Sequence, residues 1–166
     1  VEFLRKRKKP DSNLQRAVSV IVLLVFVDQL TKIWAGFVLA TQTITLVPAI
    51  LRLELVYNTG MAFGFLANGR ILFLIISVLA LVIGWKYYKL YYTKSPLFYW
   101  AGILFFAGTI GNFFDRLFYG RVTDFIAVGF GFIPFPVFNI ADVLLCISVV
   151  IGLLAVIFDE QVGEEA

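Results

Sequence analysis

Two aspartates, Asp124 and Asp142, have no obvious cation beside them, although Arg121 is near the first. Asp124 immediately precedes the apolar run Phe125-Ile126-Ala127-Val128, and Asp142 sits one turn into an expected helix. Two carboxylates brought together in a low-dielectric site cannot both ionise. Their proton affinities split, giving one acid and one base at neutral pH. Such a dyad can activate water and protonate a leaving amine, the chemistry of an aspartic peptidase. A proton or ion path uses the same residue types, so residue type alone leaves that alternative open.

Helical spacing groups further polar residues around this pair. Asn112, Asp115 and Arg116 are related by i+3 and i+4 and share one face. Asn139 and Asp142 share a face by i+3, and Cys146 continues it. Asp28 and Lys32, at i and i+4, are expected to pair with each other, and Asp115 with Arg116 or another cation. Glu54 has Arg52 on the same strand face. The chain has no histidine and one cysteine, Cys146. That excludes Ser-His-Asp and Cys-His nucleophiles, HExxH zinc sites, internal disulfides and thiolate clusters. The expected chemistry requires no metal and no cofactor. A Ser–Lys peptidase built on Lys32 lacks a serine near the outer ends of the helices.

These residues must be positioned inside a membrane. Of 166 residues, 61% are hydrophobic and 15% charged, and mean hydropathy is +0.93. Crossing a bilayer takes about 20 mostly apolar residues. Four spans are expected, at about 17–39, 71–88, 97–114 and 137–158. A basic tail over 1–13 precedes the first. Nine of the 14 basic residues lie in the stretch up to Arg16 or at Lys86, Lys89 and Lys94. By the positive-inside rule, both termini are then cytoplasmic. The tail reads as this topology signal, and no nucleic-acid partner is expected. The first span is too long for a cleaved secretory signal and lacks a small-x-small site, so it reads as retained.

The expected fold is mainly α, an integral membrane domain with four transmembrane helices, a small extracytoplasmic β-sheet and an outer loop. The outer β region spans about 41–65. There Leu51-Arg52-Leu53-Glu54-Leu55 alternates leucine with charge, the period of a strand with one apolar face. The outer loop, about 117–136, is rich in Gly and Phe and is expected as a lid over the sheet platform, with Gly129 and Gly131 as its flexible points. At about 1.5 Å per helical residue, Asp28 lies about 17 Å from the inner end of span one and Lys32 about 23 Å. Asn112, Asp115, Arg116, Asn139 and Asp142 collect toward the outer ends of their spans. The inner half holds almost no polar group, which argues against an ion-coupled transporter, the alternative reading; a non-enzymatic scaffold, its carboxylates merely pairing helices, predicts neither flux nor cleavage.

The polar blocks resemble those of bacterial lipoprotein signal peptidase (signal peptidase II). They are Asp28-Gln29-Leu30-Thr31-Lys32, Asn58-Thr59-Gly60-Met61-Ala62-Phe63, Gly111-Asn112-Phe113-Phe114-Asp115-Arg116, Gly120-Arg121-Val122-Thr123-Asp124-Phe125 and Phe138-Asn139-Ile140-Ala141-Asp142. They stand in the family's order. The resemblance implies an aspartic peptidase of the bacterial cytoplasmic membrane, with its site near the outer leaflet. Its substrates are diacylglyceryl-modified prolipoproteins, cut on the N-terminal side of the lipidated cysteine, and globomycin inhibits it. Membrane lipids are its surroundings. The catalytic pair falls on Asp124 and Asp142. Asn112, Arg116, Asn139, Asn58 and Gly60 match positions that bind substrate or support the dyad, and Asp28, Lys32 and Asp115 match structural or supporting positions. Met61 stands where the family often has alanine, Phe135-Pro136 where tryptophan-proline is common, and Val143 where serine is frequent. Met61 is larger than alanine and is expected to alter the shape of the substrate groove.

Overall fold

The computed structural model describes residues 12–60, 69–130 and 133–158. The basic residues before Pro10, Met61 and Gly131 lie outside them. Among the described residues, four helices are long and apolar enough to cross a membrane. They are α1 (Ser12–Val38), α2 (Arg70–Tyr91), α3 (Pro96–Tyr119) and α4 (Ile140–Phe158). The strands are β1 (Ile44–Val47), β2 (Leu51–Asn58), β3 (Val122–Phe130) and β4 (Ile133–Pro134). Large apolar side chains such as Val22, Phe37, Val82 and Ile157 are exposed along the helices, as expected where the solvent is lipid.

Helix α3 is the axis of the bundle, packed against α1, α2 and α4. Small residues permit this close approach. A Cβ on Gly108 would lie 2.5 Å from the Ala141 carbonyl oxygen, and one on Gly111 would lie 2.5 Å from Asp28 Oδ2. The start of α3 is capped by Ser95, whose hydroxyl accepts from the Phe98 N–H at 3.0 Å, and Pro96 follows at the first helical position. Its end is set by Gly120 in the left-handed region, φ 71°. The helix therefore runs past the expected limit at 114 and carries Asn112, Asp115 and Arg116 on continuous helix.

The strands form an antiparallel sheet in the order β1-β2-β3-β4. Leu53 and Leu55 turn toward a core made by Ala35 and Leu39 at the end of α1 and by Phe125 of β3. The alternation in 51–55 is thus a strand with one face on the helices. Residues 122–130, expected within an outer loop, instead form an interior strand. Gly129 is not a flexible point, because its N–H donates to the Ile50 carbonyl at 2.8 Å. Part of the expected lid is thereby corrected to platform.

Two backbone devices place α4 against the sheet. Phe138 and Ile126 exchange N–H···O bonds of 3.0 and 2.8 Å, and the Phe125 N–H also donates to the Phe138 carbonyl. Asn139 then stands just outside α4, which begins at Ile140 rather than near 137. The segment that pairs with β3 cannot also be helical.

Candidate functional site

The first turn of α4 is a reciprocal cap. Asn139 Oδ1 accepts from the Asp142 N–H at 3.1 Å, and Asp142 Oδ2 accepts from the Asn139 N–H at 3.1 Å. This is the capping-box pattern with Asn and Asp in place of the usual Ser or Thr and Glu. The other Asp142 oxygen, Oδ1, accepts from Asn112 Nδ2 at 2.8 Å. Asn139 therefore does not project from a helical face beside Asp142, as i+3 spacing suggests. It caps the helix that carries Asp142.

Asp124 lies on β3 opposite Val56, and is 2% exposed. Its Oδ1 accepts from Asn139 Nδ2 at 2.6 Å and its Oδ2 from Asn58 Nδ2 at 3.1 Å. Asn139 thus holds both aspartates, Asp124 through its side chain and Asp142 through side chain and backbone. Burial, and then the negative charge of Asp142, push the Asp124 carboxyl up to about 6, against the pull of its bonds to Asn139 and Asn58 and of the Lys32 charge.

The amide of Asn112 is oriented by its neighbours. Lys32 Nζ and Asn139 Nδ2 both donate to Asn112 Oδ1, at 3.1 and 3.2 Å, which leaves Nδ2 to face Asp142. Lys32 also pairs with Asp28 at 2.9 Å and Asp115 at 3.3 Å. Asp28 Oδ1 accepts the Ala141 N–H at 2.9 Å, so the α1 carboxylate serves as a further cap on α4. Asp115 pairs with Lys32 rather than with its neighbour Arg116. Its Oδ2 accepts the Thr123 N–H at 2.9 Å, which locks the residue before Asp124 to α3.

Arg116 lies over the Phe73 ring at 4.9 Å and lines the same cavity as Asp124 and Asp142. That cavity holds about 500 Å³. Its polar wall includes Asn58, Gly60 and Asn112, and its apolar wall includes Phe135, Val143, Cys146 and Ile147. Cys146 continues the Asp142 face as its spacing suggests. Asn58 Oδ1 accepts the Gly60 N–H at 2.9 Å, an Asx turn that closes the end of β2. Arg121 is stacked on Tyr57, 3.5 Å from the ring centroid. Arg52 and Glu54 pair on the exposed sheet face at 2.8 Å. Among the described residues, no group of three or more His, Cys, Asp or Glu is placed to hold a metal ion.

Gln29 is a site residue that spacing did not single out. Its Nε2 reaches Asp115 Oδ1 at 2.9 Å, Asp28 Oδ2 at 3.1 Å and the Gly111 carbonyl at 3.2 Å. Its signal was its place between Asp28 and Lys32 on an otherwise apolar span. Phe73 gave none, being one apolar residue among many on α2.

Two carboxylates on one cavity wall, one of them buried and raised, can share a proton and act on a water between them. The comparisons with known proteins show the family. Residues 20–158 match the family described as signal peptidase (SPase) II. The chain is 38% identical to the lipoprotein signal peptidase of Symbiobacterium thermophilum, covering 83% of this chain and 90% of that one. It is 37% identical to the lipoprotein signal peptidase of Clostridioides difficile, covering 87% and 96%. A solved bacterial membrane enzyme superposes with TM-score 0.70 at 30% identity, covering 87% of this chain and 94% of its own.

Proposed function

The chain belongs to the signal peptidase II family, and from that premise we propose that it cleaves the signal peptide from diacylglyceryl-modified prolipoproteins by aspartic catalysis at Asp124 and Asp142. It is a multi-pass membrane peptidase. The relatives lend the ion-coupled transporter reading no support.

One observation carries the assignment of the pair. Asn139 bonds to both carboxylates and holds them on the wall of one cavity. Asp142 accepts from the Asn139 N–H and the Asn112 amide, and so presents acceptor oxygens to water. Asp124, more buried and with its carboxyl raised to about 6, is assigned the acid role, the pair sharing one proton. In the first step Asp142 takes a proton from water as the oxygen attacks the scissile carbonyl carbon, and Asp124 protonates the carbonyl oxygen. In the second, the C–N bond breaks as Asp142 returns its proton to the amine nitrogen. The diol gives a proton back to Asp124, and the dyad is restored.

The cavity suits an amphiphilic substrate. Val143, Cys146 and Ile147 lie below Asp142 along α4 and form an apolar wall for lipid chains or a signal helix. Arg116, Asn58 and Gly60 lie beside the dyad, where a peptide backbone must pass. The α2–α3 junction, with Lys86, Lys89 and Lys94, is at the opposite end of the bundle from the sheet. That charge pattern supports cytoplasmic termini in a bacterial cytoplasmic membrane, with the dyad near the outer leaflet.

The test is cleavage of a diacylglyceryl-modified prolipoprotein in liposomes. Wild type is expected to cleave it, with globomycin blocking the reaction. Folded Asp124→Asn and Asp142→Asn are each expected to be inactive. Full activity in either variant removes that residue from the pair, and a folded wild type that cleaves no lipidated substrate removes the function.

A further inference from the structure

A second cavity, of about 400 Å³, lies on another side of α3 and shares no lining residue with the candidate catalytic cavity. Its floor is Ile33, Gly36 and Phe37, related by i+3 and i+4 on α1. Ile33 is 51% and Phe37 80% exposed on a membrane-spanning helix, so the floor opens to lipid. Its rim is polar and lies at the sheet end of the bundle, with Tyr57, Tyr119, Arg121 and Thr123.

The charges around this groove are unequal. Lys32 is buried and engaged by Asp28 and Asp115. Both oxygens of Asp115 accept bonds, from Gln29, Lys32 and the Thr123 N–H. Arg121 is exposed and makes no ion pair among the described residues. Its guanidinium is held flat on Tyr57. Stacking fixes the plane and leaves the N–H edge free, the geometry that binds phosphate through two parallel bonds. An arginine that merely reached for the headgroup layer would not be held in one plane.

We propose that this groove binds an anionic phospholipid from the outer leaflet, with its phosphate on Arg121 and an acyl chain over Ile33, Gly36 and Phe37. The groove opens on the lipid-facing side of α1, so its ligand arrives through the membrane. Its cationic rim above an apolar floor matches an amphiphile with an anionic head. The site needs the membrane placement alone, so it stands or fails separately from the peptidase chemistry.

The experiment is native mass spectrometry of the delipidated full chain, titrated with phosphatidylglycerol or with phosphatidylcholine of the same acyl chains. Wild type is expected to retain one phosphatidylglycerol at least tenfold more tightly than phosphatidylcholine. Arg121→Lys keeps the charge and loses the stacked fork, and is expected to weaken retention about tenfold. Gly36→Leu fills the groove without touching Arg121. A Cβ at Gly36 meets nothing within 4 Å, and leucine favours helix, so this variant is expected to fold, checked by its melting temperature. It too is expected to lose the lipid about tenfold. Equal retention of the two lipids overturns the proposal. So does phosphatidylglycerol binding that survives Gly36→Leu, which would reduce Arg121 to a surface charge.

Discussion

Asp28 on α1 caps α4 by accepting the Ala141 N–H at 2.9 Å, so the first membrane helix fixes the start of the last. The same carboxylate neutralises Lys32. Removing it deletes a cap worth about 1 kcal/mol. It also loosens a buried ion pair whose rupture costs about 3 kcal/mol or more. Asp28→Ala is therefore expected to lower thermal stability in detergent clearly, and Asp28→Asn less, since the amide oxygen still reaches Ala141. Equal melting temperatures for wild type and Asp28→Ala would remove the capping role.

Asn139 has two separable duties, and serine separates them. Serine is a good N-cap, so Asn139→Ser keeps the first turn of α4. Its short side chain does not reach Asp124. The variant is expected to lose about 1–3 kcal/mol, because buried Asp124 Oδ1 is left without its Asn139 partner. Asn139→Ala is expected to lose about 1 kcal/mol more with the cap, while kcat falls about 10²-fold in both. A kcat that stays at the wild-type level in Asn139→Ser and falls only in Asn139→Ala would make Asn139 a structural cap only.

The catalytic candidates were legible as sequence because Asp124 and Asp142 lacked nearby cations and sat in recognisable blocks. Their support was less so. The strand β3 is covered on both sides for much of its length, so Val122–Phe130 reads as a nearly continuous apolar run without alternation. Its partner β2 is far away in sequence, at Leu51–Asn58. The Lys32–Asp115 pair joins two helices, and helical periodicity within one segment reports only that segment's neighbours. Sequence left Asp115 to Arg116 or another cation, and the packing of α1 on α3 supplies that other cation, Lys32. Asn139 was misplaced onto a helical face because its spacing to Asp142 fits a capping box as well as a helix.

The raised Asp124 carboxyl makes two pH predictions. Below about 6 it is mainly protonated, and above about 6 mainly ionised. If it is the acid of the pair, kcat/KM falls as pH rises through about 6, with the apparent value belonging to the coupled dyad. The linkage has the same direction. The folded state holds a proton that the unfolded chain releases near its ordinary value of 3.8. Its contribution to stability is thus full below 3.8 and lost as pH rises through about 6. Kinetic and melting profiles of wild type and Asp124→Asn check both. A wild-type rate that is flat from pH 5 to pH 8 would exclude Asp124 as the titrating acid.

Arg70 opens α2, where a cation opposes the helix dipole, so its placement has to be explained by what it touches. Its Nε donates to the Arg116 carbonyl at 2.9 Å and its Nη2 to the Leu117 carbonyl at 2.7 Å. These are carbonyls of the last turn of α3, where helical bonding runs out; the Arg116 carbonyl also accepts the Gly120 N–H at 3.2 Å. The cation thus closes a neighbouring helix end, next to the Gly120 turn, and holds the turn that carries Arg116 into the candidate catalytic cavity. Arg70→Ala is expected to cost about 1 kcal/mol and to speed amide exchange around Arg116 to Arg121. Because Arg116 lines the cavity without touching Asp124 or Asp142 by hydrogen bond, KM is expected to rise several-fold while kcat changes less. Unchanged exchange together with unchanged KM would show that α3 ends firmly without Arg70, leaving Gly120 as the sufficient stop.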